Sequence, residues 1–578
     1  MKITPAIARS VAEKGLTRLC RSGLGQVLAC WMSLATCFVA AGQTSAPQAG
    51  PNPPVPKYGG TLRLAAPFDV KSLDPTTIYT WLEGILAMML YSPLLDLDEN
   101  GNVVPGLAEA LPTISADKRT YTFRLRPGVR FSNGREVMAA DVVYSLERHL
   151  DPRFQSSWGN YYHGIVGADA FTQARSNELA VASSAKPGMS RRRIEPTTVS
   201  GLRAVDPHTL EIQLNEPDLM FPQIMATPYS VVVPREEVER WDDRFGSHPV
   251  GSGPFVLKEW NRGVRVRLER NPLYYLAPQP YLDAVEVMVN VDNSTQLMMF
   301  DRGEIDYVID VPGCDLIRLK RNPRYARCIE SVVGVHPIYV SLNCEMPPFT
   351  NPQVRLAMNY AVNKVRILKL LQGEGVVARG VLPPTVKGFN PDLPGYPYSL
   401  DTASNLLAEA GMAKGFTVPF WTDQDPGSVQ IALAVKQDLA AVGVTVQLNV
   451  VSATALLDGG QRRKRVPMAL WDWLANFDDP KDTLDFLVNG ERIVEEGCLN
   501  CAFYSNTNVN RLFREAAPKR EPDERLRLYQ QLERTVVEEA PWIFLFNLNR
   551  HTLHQESLKG YKIRSIWPER LENVWLEK

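Results

Sequence analysis

Histidine is scarce in this chain, seven in 578 residues, and the seven are scattered without metal-ligand spacing. His551 and His554, three apart, read as surface residues. There is no H-E-x-x-H helix, no G-x-S-x-G elbow and no Gly-Lys-Ser/Thr phosphate loop, so zinc-protease, serine-hydrolase and P-loop chemistry have no footing here. Net charge is nearly absent too, with 63 Lys and Arg against 64 Asp and Glu. No basic array is interleaved with aromatics, which excludes the electrostatic footprint of a nucleic-acid binder. The longest basic run, Arg462-Arg463-Lys464-Arg465, reads as a solvated helix end or loop. Asp96 to Gly101 looks like the start of a calcium loop, but its twelfth position is Leu107 where a bidentate Glu is needed. A hairpin turn at Glu99-Asn100-Gly101 is the better account.

Apolar runs long enough to cross a membrane are missing from everything after residue 41. The start is different. Lys2, Arg9, Lys14, Arg18 and Arg21 precede the uncharged, mostly apolar stretch Leu24 to Ala41. That order predicts a secretory signal over 1–41, cut after Ala41, and so a periplasmic protein. An uncleaved anchor, or a lipid on Cys37 in a degraded lipobox, is the alternative. Residues 42–57 are a Pro/Gly/Ser-type linker. Of eight cysteines, three lie in the targeting region. Cys498 and Cys501 form a C-x-x-C pair in a loop. Zinc would need two more ligands and a redox role a strand-to-helix setting, so a local disulfide is expected.

What is present points to an ordinary globular α/β chain. Gly59-Gly60-Thr61-Leu62-Arg63-Leu64-Ala65 reads as a strand, as do Val264 to Leu268 and Val285 to Val289, where apolar and polar residues alternate. Thr80 to Tyr91, Ala140 to Arg148, Ala403 to Gly411, Ile431 to Val442 and Arg525 to Ala540 read as helices. Pro249-Val250-Gly251-Ser252-Gly253-Pro254 reads as a tight turn, with Gly free to take φ > 0 and Pro fixing φ. Residues 183–199, with Arg191-Arg192-Arg193, read as an exposed insertion.

The run PVGSGPF, then LERNPLYY, then PYLDAVEV resembles the family 5 (oligopeptide and dipeptide type) solute-binding proteins of ABC importers. Their pattern is P-V-G-T-G-P-Y, a strand, L-x-R-N-P-x-Y and P-Y-L-D-x-V. Further matches follow in order: Leu73-Asp74-Pro75, Tyr91-Ser92-Pro93-Leu94-Leu95, Gly303-Glu304-Ile305-Asp306 and Pro347-Pro348-Phe349. The resemblance implies a bilobal, periplasmic-binding-protein-like α/β fold of the large three-subdomain type, with a ligand cleft between lobes. The expected division is 58–91, 201–312 and 543–578 for the first lobe, 92–200 for an inserted subdomain and 313–542 for the second lobe. It implies a monomer that captures a peptide-like or other medium-sized polar solute by cleft closure and delivers it to ABC permease subunits and their ATPases. No enzyme activity, cofactor or metal is expected. A secreted hydrolase using carboxylates in the same cleft, or a ligand-sensing receptor component, remains the alternative.

The most site-like stretch is ALWDWLANFDDP, Ala469 to Pro480. Peptide-binding relatives carry W-x-A-D-Y-x-D-P there, and their Asp pairs with the ligand's α-ammonium. In this chain that place is Asn476, which brings no charge, so weak or no binding of ordinary free-amine di- and tripeptides is expected, and the mixed aromatic and amide lining suits a ligand with an apolar or sugar face and neutral polar edges. The expected ligand-binding residues are Trp473 and Asn476, with Trp471 and Phe477 beside them, Trp81 and Tyr79 from the first lobe, and Arg379 and Trp421 from the second.

Overall fold

Why the chain can run strand by strand through two halves is visible in its hydrophobic alternation. In the computed structural model, which describes residues 55–156, 158–184, 195–311, 313–372, 375–516, 521–566 and 569–577, Thr61–Ala65 forms with Leu62 and Leu64 fully buried. It pairs in parallel with Ala284–Met288 on one side and Tyr307–Val308 on the other. Arg265–Arg270 and Phe255–Asn261 continue that side as antiparallel neighbours. Val266 and Leu268 face the core while Arg265 and Arg267 pair with Glu259 and Glu286 outside.

The sheet does not stop there. Tyr307–Val308 pairs with the end of Trp542–His554, which pairs along its length with Ile329–Leu342. Beyond them come Met468–Asp472, Phe416–Thr422 and Val444–Val450, with Gly375–Val377 added on the side. The described residues thus form one eleven-stranded sheet whose two ends carry separate hydrophobic cores: a first half packed around Leu62, Leu86 and Val285, and a second packed around Val340, Tyr339 and Trp542. The long strands of 14 and 13 residues run from one half into the other. Their ladder slips between Val333 and Pro337 and again between Ile338 and Tyr339. Gly334 sits in the first slip, where a Cβ would lie 2.6 Å from the Leu548 carbonyl oxygen. Beside it, His336 Nε2 lies 2.6 Å from Asp472 Oδ2.

A separate four-stranded sheet pairs Thr113–Ile114, Thr120–Arg124, Thr209–Gln213 and Leu202–Asp206. The stretch 201–214 therefore belongs with 113–124 and not with the first lobe's sheet, where the sequence reading put it. Its alternation marks a strand but carries no label for its partner, and Phe123↔Leu210 and Tyr121↔Ile212 supply that partner. The boundary expected at 542/543 also falls inside the sheet, because one unbroken strand covers Trp542–His554. Leu95–Leu97 and Val103–Pro105 pair as a hairpin, with Asp98 Oδ1 accepting from the Asn100 and Asn102 amides.

The PVGSGPF turn needs its glycines for a different reason than the one read from sequence. Neither Gly251 nor Gly253 has positive φ. Both press on the end of the helix Trp81–Leu90: a Cβ on Gly251 would lie 2.2 Å from the Leu90 oxygen, and one on Gly253 2.5 Å from its carbonyl carbon. The Gly253 amide donates to Leu90 at 3.0 Å and Asn271 Nδ2 donates to Gly253 at 2.8 Å. Only a residue without a side chain lets two backbones approach so closely.

The targeting segment 1–41, most of the linker and the arginines 191–193 lie outside the described residues. No described helix is long and apolar enough to cross a membrane.

Candidate functional site

Two chain segments from opposite halves face each other across a cleft. The first is Ile78 to Gly84. Thr80 caps the helix Trp81–Leu90 through a reciprocal box: its hydroxyl accepts from the Glu83 amide, and Glu83 accepts from the Thr80 and Tyr79 amides at 3.0 Å each. Glu83 also accepts from the Lys71 amide, so this buried carboxylate is consumed in holding the loop. The second is Leu474 to Asn476, which follows the strand Met468–Asp472. Asp479 anchors its far end by capping the helix Pro480–Leu487 and taking two 2.7 Å bonds from Arg525.

Ile78, Tyr79, Thr80, Trp81 and Gly84 line the cleft together with Pro228, Tyr229, Leu474, Ala475, Asn476 and Ile566. The space counted out to the open mouth is about 400 Å³. No carboxylate, ammonium, guanidinium or imidazole is among those residues. The indole N–H of Trp81 is buried there and has no protein partner, and the same holds for that of Trp473, next to the lining. Arg550 stacks over the Trp81 ring at 4.5 Å.

The halves touch directly beside this cleft. Asn476 Nδ2 donates to the Tyr161 hydroxyl at 3.0 Å, and that hydroxyl donates to Asp482 Oδ1 at 3.3 Å. Asp482 Oδ2 accepts from the Asn476 amide at 2.6 Å. Asp482 is fully buried, and burial pushes its carboxyl up to about 7, against the opposing pull of the backbone amides. Burial, and then the Asp482 charge, hold the Tyr161 phenol well above its usual range. Lys481 pairs with Asp218 at 3.0 Å. Phe477 is 0% exposed and lies among the core residues of the first half, with its ring edge-on to Tyr161 at 5.3 Å.

The family model for bacterial extracellular solute-binding proteins, family 5 (middle), matches residues 102–493. The chain belongs to this family. The glutathione-binding protein GsiB of Escherichia coli O1:K1 / APEC is 29% identical over 498 residues, covering 85% of this chain and 90% of that protein. The periplasmic binding protein DppA of Helicobacter pylori, solved with the peptide STSA, is 25% identical with a TM-score of 0.72, covering 90% of this chain and 99% of that one. The oligopeptide-binding protein AppA of Bacillus subtilis, solved with a nonapeptide, shares the fold at 22% identity and a TM-score of 0.71, covering 91% of this chain and 100% of that one. The bilobal α/β fold and the role of solute-binding component of an ABC importer, expected from the resemblance, are those of the family.

Within this family 5 chain the residues singled out from sequence divide. Trp81, Tyr79 and Asn476 line the cleft, Tyr79 at 78% exposure. Trp473 lies beside them and packs toward Phe486 at 6.1 Å. Phe477 is near but is packed into a core. Trp471 is a core residue: its N–H donates to Ser341 Oγ at 3.0 Å and its ring covers Gly460. Trp421 lies over Gly459 in the same way. Arg379 holds a loop by donating to the Pro391 and Leu393 carbonyls. Cys498 and Cys501 are buried free thiols and not a disulfide. The turn between them aims each sulfur at a different backbone carbonyl, Asn500 for Cys498 and Cys498 for Cys501. His551 is buried, contrary to its surface reading, with Nδ1 2.6 Å from Ser331 Oγ. Tyr161, Tyr229 and Asp482 were not found from sequence. Asp482 carries one legible signal, its place as the third residue of a helix opened by Asp479-Pro480, where a carboxylate reaches back to preceding amides.

Proposed function

We propose that this protein is exported to the periplasm, captures a short peptide-like solute in the cleft between Trp81 and Asn476, and closes around it before meeting the permease subunits of its importer as a monomer. The signal-like start supports export, and the two halves joined by long strands would serve as lobes that close by bending at the slip near Gly334. The insertion subdomain would run to about residue 214, followed by the remainder of the first lobe. The observation that carries the ligand reading is the uncharged lining around a buried, unpartnered indole N–H at Trp81. A buried donor without an acceptor is costly, and a ligand carbonyl would satisfy it. With an amide and not a carboxylate at position 476, no counter-charge lines the place where an α-ammonium would lie. An unpaired buried ammonium is penalised by several kcal/mol. The names of the relatives, which bind glutathione or peptides, support the peptide class.

The test is mass spectrometry of the solute released when periplasm-purified protein is denatured, followed by calorimetry with Ser-Thr-Ser-Ala, glutathione and their N-acetyl forms. A peptide-like solute and tighter binding of N-blocked forms are expected. Trp81→Phe, which keeps an aromatic ring, though a smaller one, and removes the donor, weakens binding by about tenfold. Release of a non-peptide solute, or no binding of any of the four, overturns the reading.

A further inference from the structure

A buried carboxyl stands directly behind the uncharged Asn476. Asp482 is fully buried and lies next to the lining residue Asn476, yet it is not itself part of the lining. Asn476 and Tyr161 pack against it: the amide of one donates to the hydroxyl of the other, and the hydroxyl reaches Asp482 Oδ1. The second oxygen is taken by the Asn476 backbone amide. Tyr161 comes from the opposite half, on the short turn Gly159–Tyr161. Its ring is fixed edge-on by Phe477 at 5.3 Å and Phe486 at 6.5 Å, and lies parallel to Trp158 at 6.1 Å. Trp158 is itself pinned by its N–H to the Ile78 carbonyl and stacked on the lining residue Tyr229.

We propose that Tyr161 is a specificity-determining residue, whose hydroxyl, held by Asn476, seals the Asp482 carboxyl off from a ligand's amino group. The inference rests on the peptide-like reading of the ligand and deepens it. A phenol hydroxyl can give one hydrogen bond to the carboxyl and take one from the amide, as it does here, which leaves neither group calling for a cation. An ammonium in its place would bring a charge-assisted bond to the same oxygen, stronger than the neutral one it replaces. What excludes it is the ring, which fills the approach from the first half once the cleft is closed. The chain therefore keeps a carboxyl at the amine subsite and covers it with its own side chain.

The experiment measures dissociation constants for Ser-Thr-Ser-Ala and N-acetyl-Ser-Thr-Ser-Ala in wild type, Tyr161→Ala, Tyr161→Phe and the double variant Tyr161→Ala with Asp482→Asn. Opening the seal should lower the free-to-blocked ratio of dissociation constants by about tenfold or more in Tyr161→Ala, and by less in Tyr161→Phe, which keeps the ring. The double variant should return to the wild-type ratio. Peptides that bind all variants with an unchanged ratio overturn the proposal, as does a gain that survives the loss of Asp482. A ligand-independent arm separates this failure from failure of the ligand reading. Infrared difference spectra against Asp482→Asn should show a protonated carboxyl at pH 6 in wild type and its loss in Tyr161→Ala. If neither peptide binds any variant, the peptide reading falls, and the infrared arm alone decides the seal: identical carboxyl titration in wild type and Tyr161→Ala overturns it.

Discussion

Phe477 belongs by sequence to the second half, five residues after the strand Met468–Asp472, and by packing to the core of the first. Truncating it should therefore act on closure before it acts on folding. A fully buried Phe cut to Ala costs about 3–5 kcal/mol in transfer and cavity terms. When the halves separate, Phe477 leaves that core in either protein, so the loss falls on the closed state alone. The closure equilibrium of Phe477→Ala should then shift toward open by at least about a hundredfold. Small-angle scattering of the unliganded protein should report a larger radius of gyration. The apparent dissociation constant of the co-purified solute should rise by a similar factor, because binding must now drive a less favourable closure. Leu86→Ala is the control, since Leu86 is equally buried but within the first half only; it should lower the melting temperature without opening the cleft. If Phe477→Ala scatters like wild type and merely melts earlier, as Leu86→Ala does, Phe477 is an ordinary core residue and the closure argument fails.

Two further outcomes follow from buried groups elsewhere. Glu533 is fully buried beneath the Val381-Leu382 turn, accepts from the Leu382 amide at 2.8 Å, and is pushed up to about 7 by burial. The native state thus keeps a proton that the unfolded chain has shed, so stability falls as pH rises from about 4.5 to about 7, by up to about 3 kcal/mol. Glu533→Gln should remove that share of the slope in urea unfolding at stepped pH, and parallel curves for the two proteins would refute the assignment. Gly334→Ala forces a methyl against the Leu548 carbonyl and should cost about 1–3 kcal/mol, read as faster amide exchange along Ile329–Leu342; unchanged exchange there would show that the ribbon accommodates the methyl.

Much of the fold was legible because its signals are local. The strands at Thr61–Ala65, Arg265–Arg270 and Ala284–Met288 announce themselves by alternation, and the helix Pro522–Glu539 by its apolar stripe. Pairing is not local, which is why Leu202–Asp206 and Thr209–Gln213 were placed in the wrong sheet although both were read as strands. The site divides along the same line. Asn476 was singled out through a motif and Trp81 through its place at a helix start, and both line the cleft, but neither signal says which way a ring points. Trp471 turned its N–H to Ser341, and Trp421 lay down on a glycine. Tyr161 meets Asn476 across 315 positions of sequence, and nothing in the turn around Tyr161 signals that meeting. Asp482 is a helix's first-turn acid; its second task comes from what the other half brings against it.

The slip near Gly334 gives the jaw its direction. A chain that passes between halves as loose loops could swing, slide or shear. Here the passage is a hydrogen-bonded ribbon, Ile329–Leu342 laid against Trp542–His554. Sliding one rail along the other would break all its rungs together, whereas twisting and bending where the rungs already slip breaks none. Motion is thereby channelled into a single soft coordinate with stiff walls on every side. On the proposed closure the halves would open and shut along one track, and a membrane partner that feels only the angle between them would receive a one-dimensional signal of occupancy, whatever the solute inside.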